Sequence, residues 1–165
     1  MARTRWVLVL SSVLLLAPIA SPQSGNHGTK TVLSRDFATS ALTAAAQIRE
    51  WEMHLAYTFK NGYPLSEYWI AADRDRAADA LQLAVAAAKR EADRAALMQL
   101  ANLFGNVQSW SDARVEDKRN LRLANYYMSA SALENDELFQ QTRRCTNFLI
   151  SMLASGRLAE DTNCR

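Results

Sequence analysis

Residues 34–64 read SRDFATSALTAAAQIREWEMHLAYTFKNGYP, and this stretch decides the fold class. Ser34 is a good helix N-cap, and Asp36 falls in the first turn, where the helix dipole favours an acid. Phe37, Ala41, Ala44, Ile48, Leu55 and Phe59 then recur at helical spacing, predicting a helix over 35–60. Asn61-Gly62-Tyr63-Pro64 stops it, because Asn or Gly accepts the left-handed closing conformation and Pro64 cannot continue a helix.

Working outward, a second long helix is expected after Ser66, clearest over 71–104. Ala77, Leu81, Ala84, Ala88, Ala92, Ala95, Ala96, Leu100 and Leu103 share one side of it. Small residues on that face let a neighbouring helix approach closely. The copies Asp75-Arg76-Ala77-Ala78 and Asp93-Arg94-Ala95-Ala96 lie 18 residues apart, about five turns, so on one helix they share a face. Interleaved runs such as Asp73-Arg74-Asp75-Arg76 and Lys89-Arg90-Glu91-Ala92-Asp93-Arg94 read as solvated faces with i,i+4 pairs.

Gly105-Asn106 is expected to break that helix, with Ser111 capping a third over 112–133. Val115, the aliphatic stem of Arg119, Arg122 or Leu123, Tyr126, Ala130 and Leu133 would point inward. Asn135-Asp136-Glu137 reads as a break with a fresh cap, although the third and fourth helices can also be one kinked helix. In the fourth, Leu138, Thr142, Cys145, Leu149 and Met152 form the apolar stripe, and Gly156 ends it. With five Gly and three Pro in the chain, turns are too few for a sandwich or barrel. The expected class is all-α: an antiparallel four-helix bundle or similar up-down array.

The N-terminus has the parts of a signal peptide over 1–20. Arg3 and Arg5 precede an apolar run from Trp6 to Leu16, and small residues follow. Ser11, Ser12 and Pro18 interrupt the run, which argues against a membrane-spanning helix of about 20 apolar residues. Residues 21–33 would be a flexible arm and 34–165 one helical domain with a C-terminal tail, secreted or periplasmic. The leader holds no acid, so removing Arg3 and Arg5 takes the formal +2 of the chain to zero. A neutral mature chain with no transmembrane segment gives neither nucleic acid nor an anionic membrane surface an electrostatic handle.

An exported chain with two cysteines, Cys145 and Cys164, is expected to pair them. Cys145 would sit about 15 Å below the end of the fourth helix. Residues 157–164 can span about 26 Å, so the tail can fold back far enough.

Candidate chemistry is sparse. Of the two histidines, His27 lies in the arm, leaving His54 in the folded part, and no G-x-S-x-G or C-x-x-C-H motif is present. Glu50 and His54, four apart, project from one helix face. They can ligate a metal if a facing helix adds carboxylates, or His54 can hold a haem together with Met53, Met98 or Met128. No cofactor is expected in the leading reading. Trp51, Tyr57, Tyr63, Tyr68 and Trp69, with Phe59, gather near the first helix–helix connection. They either cap one end of an Ala-rich core or present an apolar surface. The expectation is therefore an exported, non-enzymatic binding module for a protein or small apolar ligand at that aromatic end. A metal- or haem-binding bundle using His54 and Glu50 is the alternative.

Overall fold

The computed structural model of the chain describes residues 32–63, 68–122, 127–159 and Cys164. The expected signal peptide over 1–20, and the expected arm as far as Thr31, lie outside the described residues. Among those residues the chain is all-helical: α1 Arg35–Asn61, α2 Tyr68–Ala87, α3 Glu91–Asn120, α4 Ala130–Glu134 and α5 Glu137–Ala154. No helix among them is long and apolar enough to cross a membrane.

The helix α1 forms as its sequence dictates and ends at Gly62, whose φ of 66° is the left-handed conformation a glycine adopts without strain. Its buried stripe, from Phe37 through Ala44, Ile48 and Leu55 to Phe59, meets all four other helices. Contacts between residues far apart in sequence give the course of the chain. Ser34 at the head of α1 meets Asp93 at the head of α3. Farther along, Trp51 meets Phe104 and Phe59 meets Trp110, so α3 runs with α1. His54 in the second half of α1 meets Asp73 near the start of α2, which returns along α1. The helix α5 also returns: Phe139 near its start stacks on Trp110, and Gly156 just past its end holds Leu33.

Two expected boundaries move. The helix predicted over 71–104 is interrupted at Ala88-Lys89-Arg90, so the two Asp-Arg-Ala-Ala copies lie on different helices. The break is held by side chains at the start of α3 and by the distant backbone of Val32. Asp93 accepts from the Arg90 amide at 3.3 Å, Arg94 donates to the Lys89 carbonyl at 3.1 Å, and Arg90 donates to the Val32 carbonyl at 2.8 Å. Conversely, Gly105-Asn106 and Ser111 are interior to α3, which continues to Asn120. The stripe Ala92, Ala96, Leu100, Leu103, Val107 and Trp110 carries the helix through Gly105, since burial along one face outweighs the intrinsic cost of a single glycine. The third helix predicted over 112–133 is accordingly the exposed end of α3 plus the short α4. Of the positions expected inside, Val115, Arg119, Arg122 and Ala130 face solvent, Leu133 is buried, and Leu123 and Tyr126 lie outside the described residues.

The break at Asn135 and the stripe of α5 are as expected. Asp136 caps α5 by accepting from the Phe139 amide at 3.1 Å. It also accepts from Trp110 Nε1 at 2.9 Å and pairs with Arg114 at 2.9 Å, tying α3 to the start of α5.

The core combines close packing of small residues with a few large rings. Ala41, Ala44 and Ala45 of α1 and Ala77, Ala80 and Ala84 of α2 are buried, and α1 makes its most extensive contact with α2. The area that alanine lacks comes from aromatic contacts: Trp51 with Phe104 at 5.3 Å, Phe59 edge-on to Trp110 at 5.1 Å, and Trp110 stacked on Phe139 at 4.8 Å. Leu33, assigned to the arm from sequence, belongs to this core. Its amide donates to the Gly156 carbonyl at 2.9 Å, and Val32 bridges Arg157. A disulfide joins Cys145 to Cys164 with Cα atoms 5.2 Å apart, stapling the tail to α5.

Candidate functional site

The second half of α1 carries one carboxylate on its buried stripe. Glu52, between the core positions Ile48 and Leu55, is 3% exposed. Facing it on α5 is Thr146, also buried, whose hydroxyl lies 2.9 Å from Glu52 Oε2 and 2.9 Å from the Thr142 carbonyl. A hydroxyl has one proton, and a carbonyl can only accept. Protonation of Glu52 would let each contact be a full hydrogen bond. Burial pushes the Glu52 carboxyl above its ordinary pKa, against the opposing pull of the Thr146 hydrogen bond and the Arg143 and Arg49 guanidiniums.

Above this pair, α1 and α5 leave a groove of about 450 Å³. Met53, Ala56, Tyr57 and Phe139 supply apolar wall, while Arg49 and Arg143 bring two positive charges to its lining. Neither arginine forms an ion pair among the described residues. A small concave site with mostly apolar walls and a few convergent polar groups is the usual form of a small-molecule site.

His54 lies on the groove's edge and connects to a second arrangement. Its Nδ1 is 2.6 Å from Asp73 Oδ2, and Arg76 pairs with the other Asp73 oxygen. Asp73 is 2% exposed, so it is a buried anion held between two neighbours rather than part of a solvated face. Donor atoms of Glu50, His54 and Asp73 lie within 4.8 Å of one another, so α2 does add a carboxylate to the pair picked out on α1. Of the methionines considered with His54, Met53 shares the groove, Met98 is exposed on α3, and Met128 is buried by the end of α1.

The expected aromatic end divides. Trp51 is 1% exposed and packs on Phe104, so it belongs to the core and offers no surface to a partner. Tyr57 and Tyr63 are exposed with ring centres 5.9 Å apart, and contact with Tyr57 raises the Tyr63 phenol above its ordinary pKa. Tyr127, also exposed, passes beside Gly62. The side chains of Tyr68 and Trp69 lie outside the described residues.

Sequence reading missed Glu52, Arg143 and Thr146. One signal was present: an acid standing in line with Ile48 and Leu55 on the apolar stripe of α1. Its partner Thr146 is 94 residues away, beyond the reach of local periodicity. No family model, no curated protein and no solved structure matches this chain.

Proposed function

We propose that this protein is an exported, non-enzymatic binding protein that takes a small, largely apolar ligand into the groove between α1 and α5. In this reading the four long helices form an up-down bundle, and the aromatic end serves mainly as core. The observation that carries it is the 450 Å³ groove walled by Met53, Ala56, Tyr57 and Phe139, a volume within the usual range for small-molecule sites. The disulfide between Cys145 and Cys164 is consistent with life in an oxidising compartment. The test is binding of an environment-sensitive apolar dye to wild type and to Ala56→Trp, which fills the groove from its wall. Dye emission should rise with wild type and stay near background with a folded variant. Equal emission from both would place dye binding elsewhere and reject the groove.

The approach of Glu50, His54 and Asp73 supports a second reading, a metal site with one imidazole and two carboxylates. Against it stands the prior engagement of Asp73 with Arg76 and His54. Metal analysis of purified protein decides: stoichiometric metal lost on His54→Ala supports this reading, and metal-free wild type ends it.

A further inference from the structure

Resting on the groove reading, we infer that the ligand is an amphipathic monoanion, with its chain along Met53, Tyr57 and Phe139 and its charged head between Arg49 and Arg143. The argument is one of charge and of what each charge already holds. Two guanidiniums line the groove, against one carboxylate, Glu52. That carboxylate sits at the buried floor, engaged by Thr146 and within the field of both arginines, while the arginines themselves are exposed and make no ion pair among the described residues. Whichever protonation state Glu52 adopts, the lining keeps an excess of positive charge. Guanidinium presents paired N–H donors that match the two oxygens of a carboxylate, so an anionic head gains charge-assisted hydrogen bonds here. A cationic head would meet two like charges before reaching Glu52. A neutral head would leave both arginines as water has them.

Three probes of one chain length separate these cases: octanoate, 1-octanol and octylamine, each titrated calorimetrically into the full protein near neutral pH. Octanoate should bind about tenfold more tightly than 1-octanol, the size of effect one charge-assisted contact gives, and octylamine most weakly. In the Arg49→Gln/Arg143→Gln double variant, both changes being at exposed positions, the preference for octanoate over 1-octanol should be lost. Added salt should shrink the octanoate preference in wild type. Equal affinity for octanoate and 1-octanol in wild type overturns the anion assignment and leaves the groove standing. Tighter binding of octylamine overturns it in favour of Glu52 as the selecting charge. Binding of none of the three rejects the groove and the anion together.

Discussion

Asp93 ties the start of α1 to the start of α3 through one carboxylate. Fully buried, it accepts from the Ser34 amide at 2.8 Å, the Ser34 hydroxyl at 2.8 Å and the Arg90 amide at 3.3 Å. Ser34 occupies the N-cap position as its sequence suggested, yet its hydroxyl is spent as a donor to Asp93 rather than as a cap. Burial works against the Asp93 anion. The hydrogen bonds from Ser34 and Arg90, with the Arg90 charge, outweigh it and hold the pKa below its ordinary 3.8. A depressed folded pKa contributes stability that is complete above the ordinary value and is lost as pH falls through the folded one. Asp93→Ala should therefore cost about 2 kcal/mol in urea unfolding at neutral pH, and the gap from wild type should close in strong acid. Glu52 has the opposite sign. Its raised pKa means the folded state holds the extra proton, so its ionisation erodes stability as pH rises above the ordinary 4.5. The melting temperature of Glu52→Gln relative to wild type should then climb with pH across that window. The role of Asp93 was not legible from local pattern, since it sits in a run of alternating charges and only the fold shows which acid of that run faces inward; for Glu52 the apolar stripe carried a signal of burial, but its partner Thr146 came only with the fold.

At the scale of elements, α3 tests the balance between intrinsic propensity and tertiary burial. Gly105 sits within it on an exposed position, and a Cβ there would meet nothing within 4 Å. Gly105→Ala should stabilise the protein by about 1 kcal/mol, read from the urea midpoint at constant slope. An unchanged or lower midpoint would mean that the helix bends there in a way alanine does not tolerate. The ends of α1 and α5 were legible, because Gly62 and Gly156 both adopt the positive φ that a glycine after an apolar stripe announces. The junction between α2 and α3 was not. Ala88-Lys89-Arg90 has no Gly or Pro, and its departure from helix depends on Asp93 and on the backbone of Val32. The cap of α5 is the converse case. Asp136 could be recognised as a helix start from sequence, but its bonds to Trp110 and Arg114 make it also a tie between helices. Asp136→Ala should cost about 3 kcal/mol, more than the ~1 kcal/mol of an isolated cap, because it leaves the half-buried Arg114 and the Trp110 N–H without that acceptor.

At the scale of the molecule, two long-range devices compensate for a core built largely from alanine. Trp110 lies between Phe59 and Phe139, and Trp110→Ala should cost about 4 kcal/mol, since three helices lose contact at once. Reducing the Cys145–Cys164 disulfide frees a tail otherwise closed into a loop with a sequence separation of 19. The expected loss is about 3 kcal/mol, seen as a lower thermal midpoint under reductant that Cys164→Ser reproduces. The all-helical class and the cysteine pairing were readable because both follow from local spacing and chain reach. The groove was not, since Met53, Ala56 and Tyr57 meet Phe139 and Arg143 only when α5 returns along α1. The most direct test of ligand binding there is an amide NMR titration of the isotope-labelled protein with 1-octanol, whose uncharged head leaves the choice of anion aside. Saturable shifts gathered at Met53, Ala56, Tyr57, Arg143 and Asn147 are the expected result; shifts that are absent, or that gather around Tyr63 and Tyr127 instead, would contradict it.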